Sequence, residues 1–468
     1  MPLPARGTAF AHNRKPLWNR PDTFRIQWER TGFYSFSREV VHLVIYTVRP
    51  GDSVYSISQR FGVSQQEIIS QNQLEVPERL VVGQALVIPV ETIRHVVRPG
   101  QSLYTLARGY GVTVEQILQA NPSITNPSRI QVGQTVNIPT ENLRKRTIDV
   151  NGYAFPNISD ITLRSTLPYL TFLSIFSYQV REDGSLASIP DERLIAAARE
   201  ARVAPMMVIT NIHEGGSFDS DLANVILSTP QVQDTLIQNV IDNMRSKNYS
   251  GLDIDFEYIY PADREKYNAF LEKVVNSLRP LGYIITTALA PKISAAQTGL
   301  LYVAHDYPVH GTLADHVILM TYEWGYTYGP AMAVSPINQV ERVLRYAVTA
   351  IPREKILMGM PNYGYDWTLP FVQGTAARTL TNVGAVNLAR NVNARIQFDQ
   401  TSQAPFFNYY DAEGRRHEVW FDDARSIDSR LRLVDSFQLG GVSYWTINSF
   451  FNQQWLVLDS LFNVNKIL

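Results

Sequence analysis

The run Gly251-Leu252-Asp253-Ile254-Asp255-Phe256-Glu257 places three carboxylates at alternate positions of an otherwise apolar stretch. In an extended chain successive side chains point to opposite faces, so Asp253, Asp255 and Glu257 share one face and Leu252, Ile254 and Phe256 the other. Carboxylates two residues apart stand roughly 6–7 Å from each other. Like charges confined together resist simultaneous ionisation, so at least one pKa rises and a proton is held at neutral pH. Glu257, last along the strand, is the candidate general acid, and Asp255 and Asp253 tune it. An accidental acidic strand is the poorer reading, because burying three carboxylates without a task is costly. A magnesium site would draw further carboxylates from other strands, and only Glu323 offers itself. No metal and no cofactor are expected.

Other chemistries are narrowed by composition. The chain has no cysteine, which removes thiolate nucleophiles, thiolate metal sites and disulfides. Its eight histidines show no paired-ligand spacing, and no Ser/His/Asp arrangement can be justified. A formal net charge of -1 with 18% charged residues gives no reason to expect nucleic acid or an anionic membrane as a partner. Twenty-four Tyr, 20 Phe and 7 Trp suit the flat faces of sugar rings, although a large aromatic core would use them equally well. No run reaches the roughly 18–20 apolar residues needed to span a bilayer. The basic, aromatic start lacks the apolar core of a secretory signal, so neither Sec export nor a membrane anchor is expected.

The elements that must position these carboxylates are legible over the last 320 or so residues. Apolar, strand-like runs at 149–155, 169–178, 205–211, 251–258, 283–290, 316–322, 356–363 and 440–446 alternate with amphipathic stretches such as 191–202, 231–247, 261–278 and 337–350. Eight strands alternating with helices predict a (β/α)8 TIM barrel, whose chemistry sits at the C-terminal ends of its strands. Glu257 falls there, as do Tyr322 and Trp445. Tyr153, Asn211, Glu323, Asn362 and Tyr363 end strands at the same rim and are candidate substrate contacts. Residues 366–425, between strands seven and eight, exceed a simple crossover and hold two strand-like runs around Glu413-Gly414, which predicts a small α+β insertion.

Ahead of the barrel lies a repeat. Tyr46-Thr47-Val48-Arg49-Pro50-Gly51-Asp52-Ser53-Val54-Tyr55 returns as His95-Val96-Val97-Arg98-Pro99-Gly100-Gln101-Ser102-Leu103-Tyr104. Asn72 matches Asn121, and Val82-Gly83-Gln84 matches Val132-Gly133-Gln134, a period of about fifty residues. Each copy reads as strand, two helices, strand. Pro50, Gly51 and Asp52 suit a turn, and Ser53 and Ser102 suit helix caps.

The repeat resembles the LysM module, with its Pro-Gly-Asp-Ser opening, central Asn and Val-Gly-Gln…Ile-Pro ending. That resemblance implies binding of N-acetylglucosamine glycans in peptidoglycan or chitin, along a shallow groove near Asp52, Ser53 and Val54 in the first copy and Gln101, Ser102 and Leu103 in the second. For Pro50, Gly51, Asp52, Ser53 and Ser102 individually, the turn-and-cap role is favoured over glycan contact. The barrel resembles glycoside hydrolase family 18, whose strand-four signature Asp-Gly-x-Asp-x-Asp-x-Glu is met by Ser250 to Glu257, with Ser250 replacing the first Asp. Its Met-x-Tyr-Asp motif is met by Met320-Thr321-Tyr322-Glu323, with Glu for Asp, and its strand-eight Trp by Trp445.

This second resemblance implies substrate-assisted hydrolysis. Glu257 protonates the glycosidic oxygen, the substrate's acetamido oxygen attacks the anomeric carbon, Asp255 accepts from the acetamido N–H, Asp253 holds the proton balance, Tyr322 donates to the acetamido oxygen and Trp445 floors the subsite. Two LysM modules before such a barrel resemble the bacterial glycosidases that act on spore cortex during germination. The implied function is an N-acetylglucosaminidase on cortex peptidoglycan, associated with spore coat, cortex or cell wall and acting as a monomer. The alternatives are a chitinase and a non-catalytic glycan-binding spore-coat protein. The expected layout is a leader at 1–44, modules at 45–90 and 94–140, and the barrel at 147–468.

Overall fold

A computed structural model describes residues 42–90, 92–110, 112–139, 146–213 and 216–468, all within the compact unit Val40–Leu468. The leader expected at 1–44 lies outside the described residues except for its last three, which belong to the opening strand of the first module.

Eight parallel strands close into a barrel: Arg146–Ala154, Phe172–Gln179, Ala204–Thr210, Gly251–Asp255, Ile284–Leu289, His316–Leu319, Ile356–Pro361 and Gly441–Trp445. The eighth pairs with the first, Gly441 opposite Asp149, so the sheet has no free edge. A short strand, Phe462–Val464, adds to the start of the first. Six strands send one apolar residue each into the upper lumen, namely Tyr153, Phe176, Val208, Ala288, Ile318 and Leu357. Strand four sends Asp253 and Asp255 instead. It also begins with a glycine for a steric reason: a Cβ on Gly251 would stand 2.3 Å from the Ile284 carbonyl oxygen.

Helices wrap the outside. Ile337–Ala350 is representative, burying Val340, Val343, Leu344 and Ala347, one helical stripe, against the strands. Truncating one such leucine to alanine costs about 2–5 kcal/mol. No described helix is long and apolar enough to cross a membrane.

Two strands are shorter than their apolar runs suggest. Strand four ends at Asp255 and strand six at Leu319, because in both the chain turns out of the barrel wall; Tyr258 and Glu323 then take left-handed backbone, φ +54° and +64°. Strand alternation therefore accounts for Asp253 and Asp255, whereas Glu257 is carried by the turn that follows.

The insertion is a five-stranded antiparallel sheet, in the order Arg378–Leu380, Gly364–Leu369, Arg416–Trp420, Ala404–Tyr410 and Gln397–Asp399. Helix Asn382–Asn391 covers it through Ala385 and Ala389, which pack on Phe407, Val419 and Phe421. It starts at Gly364, two residues before the expected boundary.

The two repeats share one fold. His42–Thr47 pairs with Ala85–Val90 around helices Val54–Phe61 and Gln65–Gln71, and Thr92–Val96 pairs with Thr135–Pro139 around Leu103–Tyr110 and Val114–Gln119. Their central asparagines are clamps. The Asn72 amide donates to the Ile68 and Val87 carbonyls and accepts from the Val87 N–H, and Asn121 does the same with Ile117 and Asn137. The six residues expected near the glycan groove have structural tasks. Asp52 accepts from the Arg49 N–H and the Tyr46 hydroxyl, and Gln101 accepts from the Arg98 N–H. Ser53 and Ser102 accept from the N–H groups of Ser56 and Thr105, capping their helices, while Val54 and Leu103 are buried.

Candidate active site

The C-terminal mouth of the barrel opens into a cleft of about 1310 Å³, counting space open to solvent, lined by Tyr153, Phe176, Asp255, Glu257, Tyr322, Glu323 and Trp445 among others. A second cleft of about 1030 Å³ shares Glu323 and Trp445 with the first and continues past Asn362 and Tyr363 to Tyr365 and Thr379–Thr381 of the insertion. The insertion thus walls one end of a continuous groove.

The carboxylates form a graded row. Asp253 is fully buried, with Ser174 Oγ 3.1 Å from Oδ2; the same hydroxyl lies 3.0 Å from Asn151 Oδ1. Burial raises its pKa. Asp255 is buried as well, and burial followed by the charges of Glu257 and Asp253 pushes it well above the usual carboxylate range. Glu257 is half-buried; burial, then the charge of Glu323, pushes its pKa up to about 7. Asp255 Oδ1 is buried and has no hydrogen-bond partner among the described residues, whereas Asp253 and the buried Tyr153 hydroxyl interact with one another. A polar ligand group entering the cleft would find the Asp255 oxygen unsatisfied, and pairing it would be favourable.

Aromatic rings shape the floor. Trp445 stands edge-on to Phe176, Tyr153 and Phe155, with centroids 4.8, 5.3 and 5.8 Å away. Tyr322 is half-buried beside the carboxylates; burial and the charges of Asp255, Glu257 and Glu323 hold its phenol well above the ordinary range, so it stays a donor. Across the cleft Glu323 accepts from the Tyr363 hydroxyl and, at 3.0 Å, from the Tyr365 hydroxyl.

Two residues expected to touch substrate have other tasks. Asn211 Oδ1 accepts from the Glu257 N–H at 2.9 Å, and its Nδ2 donates to the Glu257 carbonyl at 2.8 Å and to that of Asp219 at 3.0 Å. It grips the backbone of Glu257 from behind, because a buried amide at the end of strand three finds the free peptide groups of the neighbouring turn. Asn362 lines the second cleft, but its Nδ2 donates to the Thr446 and Ser449 carbonyls and so anchors the loop after Trp445. Tyr153, Trp445, Tyr322, Glu323 and Tyr363 do face the groove.

Several contributors escape sequence reasoning. His305 accepts from the Ala290 N–H at Nδ1 and therefore carries its proton at Nε2, donating to the Phe256 carbonyl at 3.0 Å. Burial lowers its pKa to about 4, so it is neutral in this role. With Asn211 it holds the peptide on both sides of the Phe256–Glu257 link. Ser174, Tyr365 and the rim tyrosines Tyr258, Tyr302 and Tyr326 likewise carry no motif; the alternation of Ser174 with Phe172 and Phe176 is a weak signal for an inward hydroxyl.

A pH prediction follows. A general acid works while protonated, and a pKa raised to about 7 keeps Glu257 protonated until the pH passes that value. kcat/KM for glycan hydrolysis should therefore fall as pH rises through about 7, approaching roughly tenfold per unit above pH 8. A profile flat to pH 9 would contradict it.

Comparison with known proteins adds sequence and structural relatives. Residues 159–449 match the family described as glycosyl hydrolases family 18, and residues 46–89 and 95–139 each match the LysM domain. Over 429 residues the chain is 44% identical to the cortical fragment-lytic enzyme of Bacillus subtilis (strain 168), covering 90% of this chain and 99% of that one. The crystal structure of the spore cortex-lytic enzyme SleL of Bacillus megaterium QM B1551 superposes with a TM-score of 0.84 at 38% identity, covering 92% of this chain and 100% of that one. That of Bacillus cereus SleL gives 0.80 at 40% identity, covering 91% and 99%.

Proposed function

The chain belongs to glycosyl hydrolase family 18, and from that premise we propose that it is an N-acetylglucosaminidase that cuts spore cortex peptidoglycan during germination, with Glu257 as general acid and base. The barrel is that of a glycoside hydrolase, and the presence of LysM modules indicates that the chain binds a glycan of the peptidoglycan type. The names of the relatives, cortical fragment-lytic and spore cortex-lytic enzymes, support cortex as the substrate and the spore wall as the place of action. The chain is proposed to work as a monomer.

The observation that carries the chemistry is Asp255 and Glu257 on one wall of an aromatic-floored groove, with the buried Asp253 behind them. The Glu257 carboxyl gives its proton to the glycosidic oxygen as the bond to the anomeric carbon breaks. The carbonyl oxygen of the same sugar's acetamido group attacks that carbon and forms an oxazolinium ion, so no enzyme carboxylate becomes covalently attached. Asp255, whose Oδ1 is buried and unpaired among the described residues, is suited to accept from the acetamido N–H. Tyr322 donates to the acetamido oxygen, and Trp445 packs beneath the ring. Water then attacks the anomeric carbon from the face the leaving group left, giving its proton to the Glu257 carboxylate, and configuration is retained. A Glu257 pKa near 7 serves both directions of transfer.

The groove continues on both sides of Glu257, toward Tyr326 and toward the insertion, which supports cleavage within a chain. The modules add local concentration without altering the chemistry. Parallel digestion of purified cortex peptidoglycan and of chitin tests the assignment. Release of soluble fragments from cortex is expected; cleavage of chitin alone would overturn the substrate.

A further inference from the structure

The two modules share a fold but not an environment. In the first, the loop from the second helix to the closing strand is sealed against the glycosidase domain. Val81 joins the insertion's own apolar core with Ala389, Ile396 and Phe421. The Ile396 N–H donates to the Val82 carbonyl and Arg425 Nη2 to the Gly83 carbonyl, each at 3.0 Å. Gln453 Nε2 donates to Asn72 Oδ1 and to the Ala85 carbonyl, also at 3.0 Å, and Asn452 Nδ2 reaches the Gln71 carbonyl at 2.9 Å. Gln453, Asn72 and Ala85 are buried, so undocking would strand polar groups that have replaced water with each other.

The second module presents the same loop to solvent. Gln131, Val132 and Gly133, the counterparts of Val81, Val82 and Gly83, are all exposed, Val132 by 65%. The closing strands carry the same contrast: Ala85-Leu86-Val87-Ile88 is buried on both faces, whereas Thr135-Val136-Asn137-Ile138 alternates as a half-buried strand does. The glycines measure it directly. Both have left-handed backbone, φ +89° at Gly83 and +87° at Gly133, yet a Cβ on Gly83 would meet the Ile396 carbonyl oxygen at 1.8 Å and one on Gly133 would meet nothing within 4 Å.

We propose that the two repeats divide labour: the first is a fixed strut of the glycosidase domain, and the second holds the glycan, through its open loop at 121–134. A loop whose Val82 and Gly83 carbonyls already accept from Ile396 and Arg425 cannot offer them to a sugar, even though open clefts lined by Arg49, Pro50, Val82 and Gly83 remain beside it. The open loop offers the uncharged, amide-bearing and apolar side chains Gln131 and Val132, which suit a neutral N-acetylated sugar. The choice of N-acetylglucosamine glycan as occupant rests on the function proposed above.

The glycine pair tests the strut. Gly83→Ala and Gly133→Ala in the full chain add equal backbone strain, so their difference reports the docking. Gly83→Ala should lower the Tm of the glycosidase domain by roughly 5 °C or more, and Gly133→Ala should leave it unchanged. Equal melting would overturn the strut. Sedimentation with insoluble cortex peptidoglycan, in a Glu257→Gln background so that nothing is cut, tests the division. Val132→Asp, at an exposed site, should weaken binding at least about fivefold with Tm and circular dichroism unchanged. Gly83→Ala, below its Tm, should bind as the parent does. Undiminished binding by Val132→Asp, or lost binding by folded Gly83→Ala, would overturn the division. Hydrolysis of cortex by the unaltered protein is scored alongside: cutting with the wrong binding pattern removes only the division of labour, and no cutting removes the function it rests on.

Discussion

Glu257→Gln should lower kcat on cortex peptidoglycan by about 10²–10⁴-fold, the usual worth of a positioned general acid. kcat and kcat/KM should fall together, because proton donation is an interaction of the transition state and not of the bound substrate. The amide keeps the size of the side chain, and the backbone grip of Asn211 and His305 does not involve the carboxyl, so the groove should stay intact. Stability provides the control. A carboxyl whose pKa is raised by folding costs stability progressively as the pH rises from its unfolded value, about 4.3, to the raised one, about 7, and the cost is constant above that, so removing it should leave Tm nearly unchanged at pH 3.5 and raise it by roughly 2–4 °C at pH 8. Retained hydrolysis in a folded Glu257→Gln protein would move the acid elsewhere along the row.

The second large effect concerns the substrate. If the acetamido oxygen is the nucleophile, a glycan carrying a free amine on the sugar to be cleaved should be hydrolysed at least about 10³-fold more slowly, because a well-oriented internal nucleophile has an effective concentration of 10⁵–10⁸ M. Chromatography of fragments from acetylated and de-N-acetylated chains of equal length measures this. Equal rates would require an enzyme nucleophile, for which Glu323, across the cleft and clamped by Tyr363 and Tyr365, is the candidate. Asp255→Asn should mimic part of the loss on the acetylated chain, since the amide can no longer ionise to stabilise the positive charge that develops on the acetamido group.

What the sequence revealed follows from how the parts are built. Strands of a parallel barrel are buried on both faces and read as apolar runs, so all eight stood out between helical stretches. The carboxylates stood out because three acids in such a run contradict its burial. Strand ends were less legible: pairing stops at Asp255 and Leu319 because the chain turns outward there, and left-handed Tyr258 and Glu323 carry no local signal of it. Asn211 and Asn362 look like rim contacts in sequence, yet a buried amide is as able to satisfy a turn's peptide groups as a ligand, and only three dimensions decide. His305 lies 48 residues after Glu257 and acts on the backbone beside it, which no spacing encodes. The sealing of the first module depends on Ile396, Arg425 and Gln453, some 300 residues beyond it. Its imprint was present all the same, in the unbroken apolar run of Ala85 to Ile88 where the second copy alternates.

Glu257 is expected to cleave the bond that follows N-acetylglucosamine in spore cortex peptidoglycan. Mass spectrometry of the new reducing ends, after digestion of purified cortex and borohydride labelling, tests it most directly. Fragments ending in reduced N-acetylglucosamine are expected, and they should be absent with Glu257→Gln. Fragments ending in reduced muramic acid would contradict it.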